Sequence, residues 1–574
     1  MRKLFIVTAL LMLCVMANAK AIRDEYAGVA PVRSAPAEGA PAEKPAQSNA
    51  LKDRYAAFFP VGNVVSPRDL GTARFELLAQ HFAILTAENA MKPLYLQGEK
   101  GEYTFDTADK LVDAALGAGL KMHGHTLAWH QQSPEWLNRE GIDRNEAIEN
   151  LVDHAKTVAG HFRGRVVSWD VLNEAIIDNP ATPQDWRASL RRVPWYNAIG
   201  DEYIAIAFRA AREADPDAKL YYNDYNMDNP NKSLAVYNMV KEINEKYPDV
   251  LGRPLIDGVG MQGHYRVGVN MGNVAASLQR FASLGVEVSI TELDVQAGAS
   301  YRLTDEQAIQ QGAAYARLFA LFRENAEALG RVTIWGLDDG SSWRSMTSPT
   351  LFDRDLQEKP AFYGALDPAA FLAQNESRLA ALKKDPLQTS ARYGAPTLDA
   401  EDPLWRVAPE IPINQHIMAW QGASGTARAL WDEQALYVMI FVNDSELNKA
   451  NPAPHEQDSI EIFIDEGNHK AGYMQSDDGQ YRVNFENEAS FNPASIAEGF
   501  ESRAFIAVSG KAYAVVAKIP WKTIKPQDGV LIGFDLQING ASSRGMRQSV
   551  AVWNDVSGNA WQDPSLYGVL RLSR

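Results

Sequence analysis

The ten residues 286–295, VEVSITELDV, start as a buried strand and end on two acids. Val286, Val288 and Ile290 are β-branched and alternate, which suits a pleated surface. Glu292 and Asp294 follow in the same run, although carboxylates are among the residues least welcome in a sheet core. A second run, VVSWDVLNE, closes on Asn173 and Glu174. Two carboxyl groups at strand ends suit cleavage of a glycosidic bond through an oxocarbenium-like transition state. One protonates the leaving oxygen; the other attacks the anomeric carbon or activates water.

Other β-type runs also end in polar or aromatic residues. AILTAENAMK ends in Glu88, Asn89 and Lys92, and KMHGHTLAWH in His125, Trp129 and His130. KLYYNDYN ends in Asn223, Asp224, Tyr225 and Asn226, and GVGMQGH in Gln262 and His264. RVTIWGLDDGSSW ends in Trp335, Asp339 and Trp343. Any one of these alone reads as a helix cap, a surface ion pair or a satisfied core histidine. Seven consecutive strands ending this way would need seven independent accidents. Donors and acceptors beside Trp faces suit a polyhydroxylated ring, whose hydroxyls need partners and whose C–H faces stack on aromatics. Asn173 is placed to bond a sugar hydroxyl. His264 can bond Glu292 and hold it ionised, with Asp294 orienting the imidazole.

The elements that must position these residues alternate regularly. β-type runs begin near Phe59, Ala83, Lys121, Val166, Lys219, Gly258, Val286 and Arg331. Between them lie stretches such as TADKLVDAALGAGL and DEQAIQQGAAYARLFALFRENAEAL, apolar at three- and four-residue steps. Eight strand–helix units predict an α/β fold of the (β/α)8 TIM barrel type, with the strand C-terminal ends forming the active face. Glu174 and Glu292, on strands four and seven, would then face each other across the mouth. A doubly wound open sheet is the alternative, but no glycine-rich phosphate loop follows the first strand. After about residue 385 only short alternating runs remain, such as ALYVMIFVND and DSIEIFIDE, which predict a C-terminal all-β sandwich. The expected organisation is a signal peptide over 1–19, a Pro/Ala-rich linker over 20–50 and a barrel over 51–375. A linker over 376–392 and a sandwich over 393–574 follow.

The signal peptide expectation rests on Arg2 and Lys3, an apolar run, and Ala17-Asn18-Ala19 as a cleavage signature. It implies export to the periplasm or the exterior. A lipid anchor at Cys14, the only cysteine, is disfavoured by Leu13 before it. A formal net charge of −16 repels phosphate backbones and anionic lipid, so neither nucleic acid nor a membrane surface is an expected partner. The chain is expected to act as a monomer.

In order, TAENAMK, GHTLAWH, WDVLNEA, YYNDYN, MQGH, ITELDV and WGLDDGSSW closely resemble glycoside hydrolase family 10, the retaining endo-β-1,4-xylanases. The resemblance covers about residues 51–375. It implies a TIM barrel, a catalytic centre without metal or cofactor, and xylan as substrate. Glu174 matches the acid/base and Glu292 the nucleophile. Glu88, Asn89, Lys92, His125 and Trp129 match residues binding the glycone sugar. Asn173, Gln262 and His264 match residues around the reacting ring, Tyr225 the leaving-group side, and Trp335 and Trp343 the aromatic walls. If Trp343 crowds the space of a hydroxymethyl group, xylose is favoured over glucose.

Residues from about 390 onward, through LWDEQALYVMIFVND, HEQDSIEIFIDEGN, DDGQYRVNFEN and WQDPSLYGVLRL, resemble carbohydrate-binding module family 9. That implies Glu461, Arg482 and Asn484 as polar sugar contacts and Trp561 as one aromatic wall, with the nearby Trp553 as the alternative. His455 stands where the family often has the second tryptophan. It also implies structural calcium, for which Asp477 and Asp478 are candidates. Solvated turn acids and a sandwich that no longer binds sugar are the plainer readings.

Overall fold

A computed structural model describes residues 49–574 except 179, 249–251, 299, 383–384 and 420. The signal peptide and nearly all of the 20–50 lead-in therefore lie outside the described residues.

Eight parallel strands close into a ring. They are β1 (Val61–Val65), β2 (Ile84–Ala87), β3 (Lys121–Trp129), β4 (Ser168–Asn173), β5 (Lys219–Asp224), β6 (Gly258–Met261), β8 (Glu287–Gln296) and β9 (Leu329–Ile334). A three-residue strand, β7 (His264–Arg266), pairs with the far end of β8. Closure comes from β9 pairing with β1 and from β6 pairing with β8, Gly260 opposite Ser289. Parallel neighbours need crossovers, and helices supply them. The helix Asp106–Gly117 buries Ala108, Leu111, Val112 and Ala115, one stripe at helical spacing. Arg144–His161 starts where the Asp143 side chain accepts from the backbone N–H groups of Asn145 and Glu146. Asp305–Glu324 starts in a Thr304–Gln307 capping box. Inside the barrel, Trp169 lies so close to Gly124 that a Cβ there would stand 2.2 Å from the indole. Only glycine admits that ring to the lumen.

The stretch expected as a linker over 376–392 is mostly regular structure. The helix Pro368–Leu382 runs through its first part, and the strand Gln388–Tyr393 already belongs to the next sheet. Apolar residues Leu372 and Leu379 pack that helix on Ile309, Ala313 and Ala316, so it extends past the expected barrel end at 375.

The C-terminal strands form a thirteen-stranded, mainly antiparallel system. In the strand Ser459–Asp465, Ile460, Ile462 and Ile464 enter the apolar core with Leu536 and Ile538. Ser459, Glu461, Phe463 and Asp465 therefore line the opposite face, as a two-residue period requires. The sandwich touches the barrel: Asn273 Nδ2 donates to Gly472 O at 2.5 Å.

Candidate active site

Glu174 follows the last residue of β4 with φ +59°, a left-handed conformation uncommon outside glycine. Its neighbours fix that bend. Its N–H donates to Asn223 O at 2.9 Å, and Arg191 Nε donates to its carbonyl at 3.0 Å. Tyr222 Oη accepts from the N–H groups of Ala175 and Ile176 at 3.0 and 3.2 Å. The carboxylate thus turns into the mouth, where Trp129 Nε1 donates to Oε2 at 2.9 Å and Gln262 Nε2 to Oε1 at 3.0 Å.

Glu292 projects from β8. Asn223 Nδ2 donates to its Oε1 at 2.8 Å and also lies 2.9 Å from the Asn173 amide. His264 Nε2 stands 3.3 Å from Oε2, and His264 Nδ1 stands 3.0 Å from Asp294 Oδ2. Trp343 Nε1 and Arg344 Nη1 donate to Asp294 at 3.1 and 3.3 Å. The expected relay of Glu292, His264 and Asp294 is therefore assembled, with Arg344 as an addition.

The two glutamates are both buried, yet their acidities diverge. Burial, then the negative charge of Asp224, raises the Glu174 pKa, and Glu292 adds to it. Burial also acts on Glu292, but His264, by hydrogen bond and charge, and the field of His125 outweigh it and lower its pKa. His264 is itself raised to about 9: burial opposes its charge, and Asp294 overcomes that. At neutral pH Glu292 is held ionised while Glu174 retains its proton more readily, which is the division of labour glycoside cleavage requires.

The remaining expected residues surround this pair. Lys92 Nζ bonds Asn89 Oδ1 at 2.9 Å and Gln132 Oε1 at 2.8 Å, and lies 5.1 Å from the Trp129 ring centroid. Burial lowers the Lys92 pKa and raises that of Glu88. His125 Nδ1 meets Asp170 Oδ2 at 2.9 Å, and its ring lies edge-on to Trp335 at 5.4 Å. Tyr225 accepts from Arg191 Nη2 and donates to Asp178. Trp343 is 58 % exposed and edge-on to His264 at 5.1 Å, so it covers the mouth from outside. Sequence reasoning passed over Asp170, in the middle of β4, which the side chains of both His123 and His125 meet. Its pKa is lowered well below the carboxylate range because the two imidazoles overcome burial. The alternation of SWDVLN offered the only signal for it.

In the sandwich, buried Glu461 accepts from Arg482 Nε at 2.9 Å, Asn539 Nδ2 at 2.7 Å and Gln480 Nε2 at 2.5 Å. Against burial, Arg482 holds its pKa down at about 2. Asn484 shapes the adjoining hairpin, accepting from the N–H groups of Glu486 and Glu488. His455 is half-exposed on the turn Pro454–Glu456, within the field of Arg547 and Arg482. Trp561 packs against the cluster of Phe463, Ala560 and Tyr567, and Phe463 lies two residues along the strand from Glu461. Asp477 clusters with Asp465 and His469, whereas Asp478 accepts from Gln475 N–H at 2.5 Å.

The sequence profile described as Glycosyl hydrolase family 10 matches residues 50–368, and that described as Carbohydrate family 9 binding domain-like matches 399–574. An endo-1,4-beta-xylanase A of Thermoanaerobacterium saccharolyticum is 31 % identical, over 92 % of this chain and 60 % of its own length. An exoglucanase XynX of Acetivibrio thermocellus is 31 % identical, over 91 % of this chain and 63 % of its own. The chain thus spans less than two thirds of the length of either relative. Among solved structures, an intracellular xylanase of T. saccharolyticum is 38 % identical with a TM-score of 0.50, covering 55 % of this chain and 97 % of that one. A family 10 xylanase with an Ig-like domain, from termite gut, is 37 % identical with a TM-score of 0.53, over 58 % and 79 %. The chain belongs to glycosyl hydrolase family 10 and carries a family 9-type carbohydrate-binding domain behind its barrel.

Proposed function

We propose that the chain is a retaining endo-β-1,4-xylanase that cleaves internal bonds of xylan by double displacement. The observation that supports this most is the pair Glu174 and Glu292, buried in one mouth with acidities driven apart. Ionised Glu292 attacks the anomeric carbon while Glu174 gives its proton to the leaving glycosidic oxygen. A glycosyl–Glu292 ester forms and the shortened chain departs. Glu174, now a carboxylate, takes a proton from water, whose oxygen displaces Glu292 with a second inversion. Asn223 and His264 keep the nucleophile ionised and aimed. Lys92, Asn89 and Gln132 form a polar wall for the hydroxyls of the bound ring.

The test is release of reducing ends from xylan without release from carboxymethylcellulose. Equal turnover of both would favour a β-1,4-glucanase, the reading suggested by the relative named as an exoglucanase.

The C-terminal domain is read as a sugar-binding appendage. The row Glu461–Phe463 forms its floor, with His455 toward one end and Trp561 toward the other. Retention on insoluble xylan that is lost in Trp561→Ala tests this. Calcium needs oxygen ligands; Asp465 and Asp477 converge with His469, and all three acids, Asp478 included, already accept backbone N–H groups of their own loop. Export through residues 1–19 and a monomeric state complete the proposal; cell fractionation and light scattering test them. No helix among the described residues is long and apolar enough to cross a membrane.

A further inference from the structure

Barrel and sandwich enclose a cavity of about 240 Å³ at their seam. From the barrel it is lined by Tyr225, His264, Arg266 and Arg344, and from the sandwich by Trp561 and Gln562. His264 touches the nucleophile, and Tyr225 is bonded to the arginine that holds the Glu174 carbonyl. The cavity therefore opens beside the catalytic pair. Its barrel residues follow β5, β6 and β9, whereas Glu88 and Lys92 follow β2.

Two features of its wall call for a ligand. Gln562 Oε1 is buried without a hydrogen-bond partner. Arg266, on β7, has neither ion pair nor hydrogen bond from its guanidinium among the described residues, although it is only partly exposed. Burial and the nearby Arg344 and Arg547 lower its pKa to about 10, against the opposing fields of Asp555 and Asp294. Two further acids line the wall. Asp228 and Asp563 face each other across the seam, and burial with their mutual repulsion raises Asp228 to about 6. Burial raises Asp563 as well. A guanidinium without a partner among the described residues, beside a half-buried indole, suits a sugar that carries a carboxylate: the fork bonds the anion and the ring stacks.

Resting on the xylanase reading above, we propose that this seam is a joint barrel–sandwich site for the leaving-group side of a uronic-acid-bearing xylan, with Arg266 receiving the uronate and Trp561 a sugar face. The test uses the full chain on glucuronoxylan and on the same polymer after reduction of its carboxyl groups. The unmodified chain should favour the acidic polymer by about tenfold in kcat/KM, the scale of one charge-assisted contact. Arg266→Met should abolish that preference, Arg266→Lys should restore part of it, and salt should shrink it. Trp561→Ala should lower kcat/KM on both polymers while keeping their ratio. No preference in the unmodified chain, or a preference that survives Arg266→Met, overturns the proposal. So does equal loss on both polymers in Arg266→Met that Arg266→Lys does not relieve, because that marks a structural role. Turnover of an aryl β-xylobioside by the unmodified chain is the control. Its absence would count against the xylanase reading itself.

Discussion

The barrel mouth and the sandwich both bury acids, and they neutralise them in opposite ways. In the barrel mouth several acids face cations: Glu292 faces His264, Asp294 faces His264 and Arg344, and Asp224 lies 2.8 Å from Lys232. In the sandwich acids face acids. Asp458 is raised to about 8 by burial and by its neighbour Asp444, and Asp535 to about 7 by burial and Asp555. Glu461 with Arg482, on the face read as sugar-binding, departs from this, as does Glu466, which accepts from the N–H groups of Lys522, Thr523 and Ile524. The contrast teaches that burial does not settle the charge of a carboxyl group; what it faces does.

The strongest break of the barrel's pattern removes the acids themselves. Glu292→Ala and Glu174→Ala should each lower xylan hydrolysis by at least about a thousandfold while the far-ultraviolet spectrum is retained. Azide should rescue Glu292→Ala as the α-glycosyl azide, by one inversion, and Glu174→Ala as the β-azide, by two. Swapped products would exchange the assigned roles.

Lys232 sharpens the comparison through stability. Both members of the Lys232–Asp224 pair are fully buried. Lys232→Met leaves an uncompensated carboxylate and should cost about 3–5 kcal/mol in thermal or denaturant unfolding. A loss under about 1 kcal/mol would mean that Asp224 does not depend on it.

A smaller effect is expected at His264. His264→Ala should lower kcat about ten- to a hundredfold and move the acidic limb of the kcat/KM–pH profile upward, because Glu292 loses the partner that holds its pKa down. An unmoved limb would dissociate His264 from the ionisation of Glu292.

The mildest test addresses the sandwich. The folded pKa of Asp458 lies near 8, well above its ordinary value of 3.8. The stability it contributes is fully present below about pH 4 and is lost as pH rises toward 8, because the unfolded chain gives up this proton near 4 while the folded one keeps it. The sandwich transition in calorimetry should therefore fall over that window, and Asp458→Asn should flatten the fall by about 1–2 kcal/mol at neutral pH.

Much of this molecule was legible from residue types and order. Period-two and period-3.6 patterning announced the eight strand–helix units, because only one face of each element meets the core. The polar strand ends announced the mouth, because strand C-termini of a barrel converge there. Less legible were residues whose partners lie far off in sequence. Asp170 looked like one inward residue of β4 until two histidines of β3 met it. Asn223 looked like a strand end until it bridged Asn173 and Glu292. Trp561 read as one wall of a sugar site within the sandwich, and the structure also places it on the seam with the barrel.

The amino-acid order by itself determined the element types, the barrel and sandwich textures and the two glutamates, because local periodicity and side-chain chemistry are carried within each segment. Only the tertiary structure decided which acids face cations or other acids, that Asp170 meets two histidines, and that among the described residues the Arg266 guanidinium at the seam has no ion pair or hydrogen bond. Those properties depend on distances between residues tens to hundreds of positions apart, and on the exclusion of water around them.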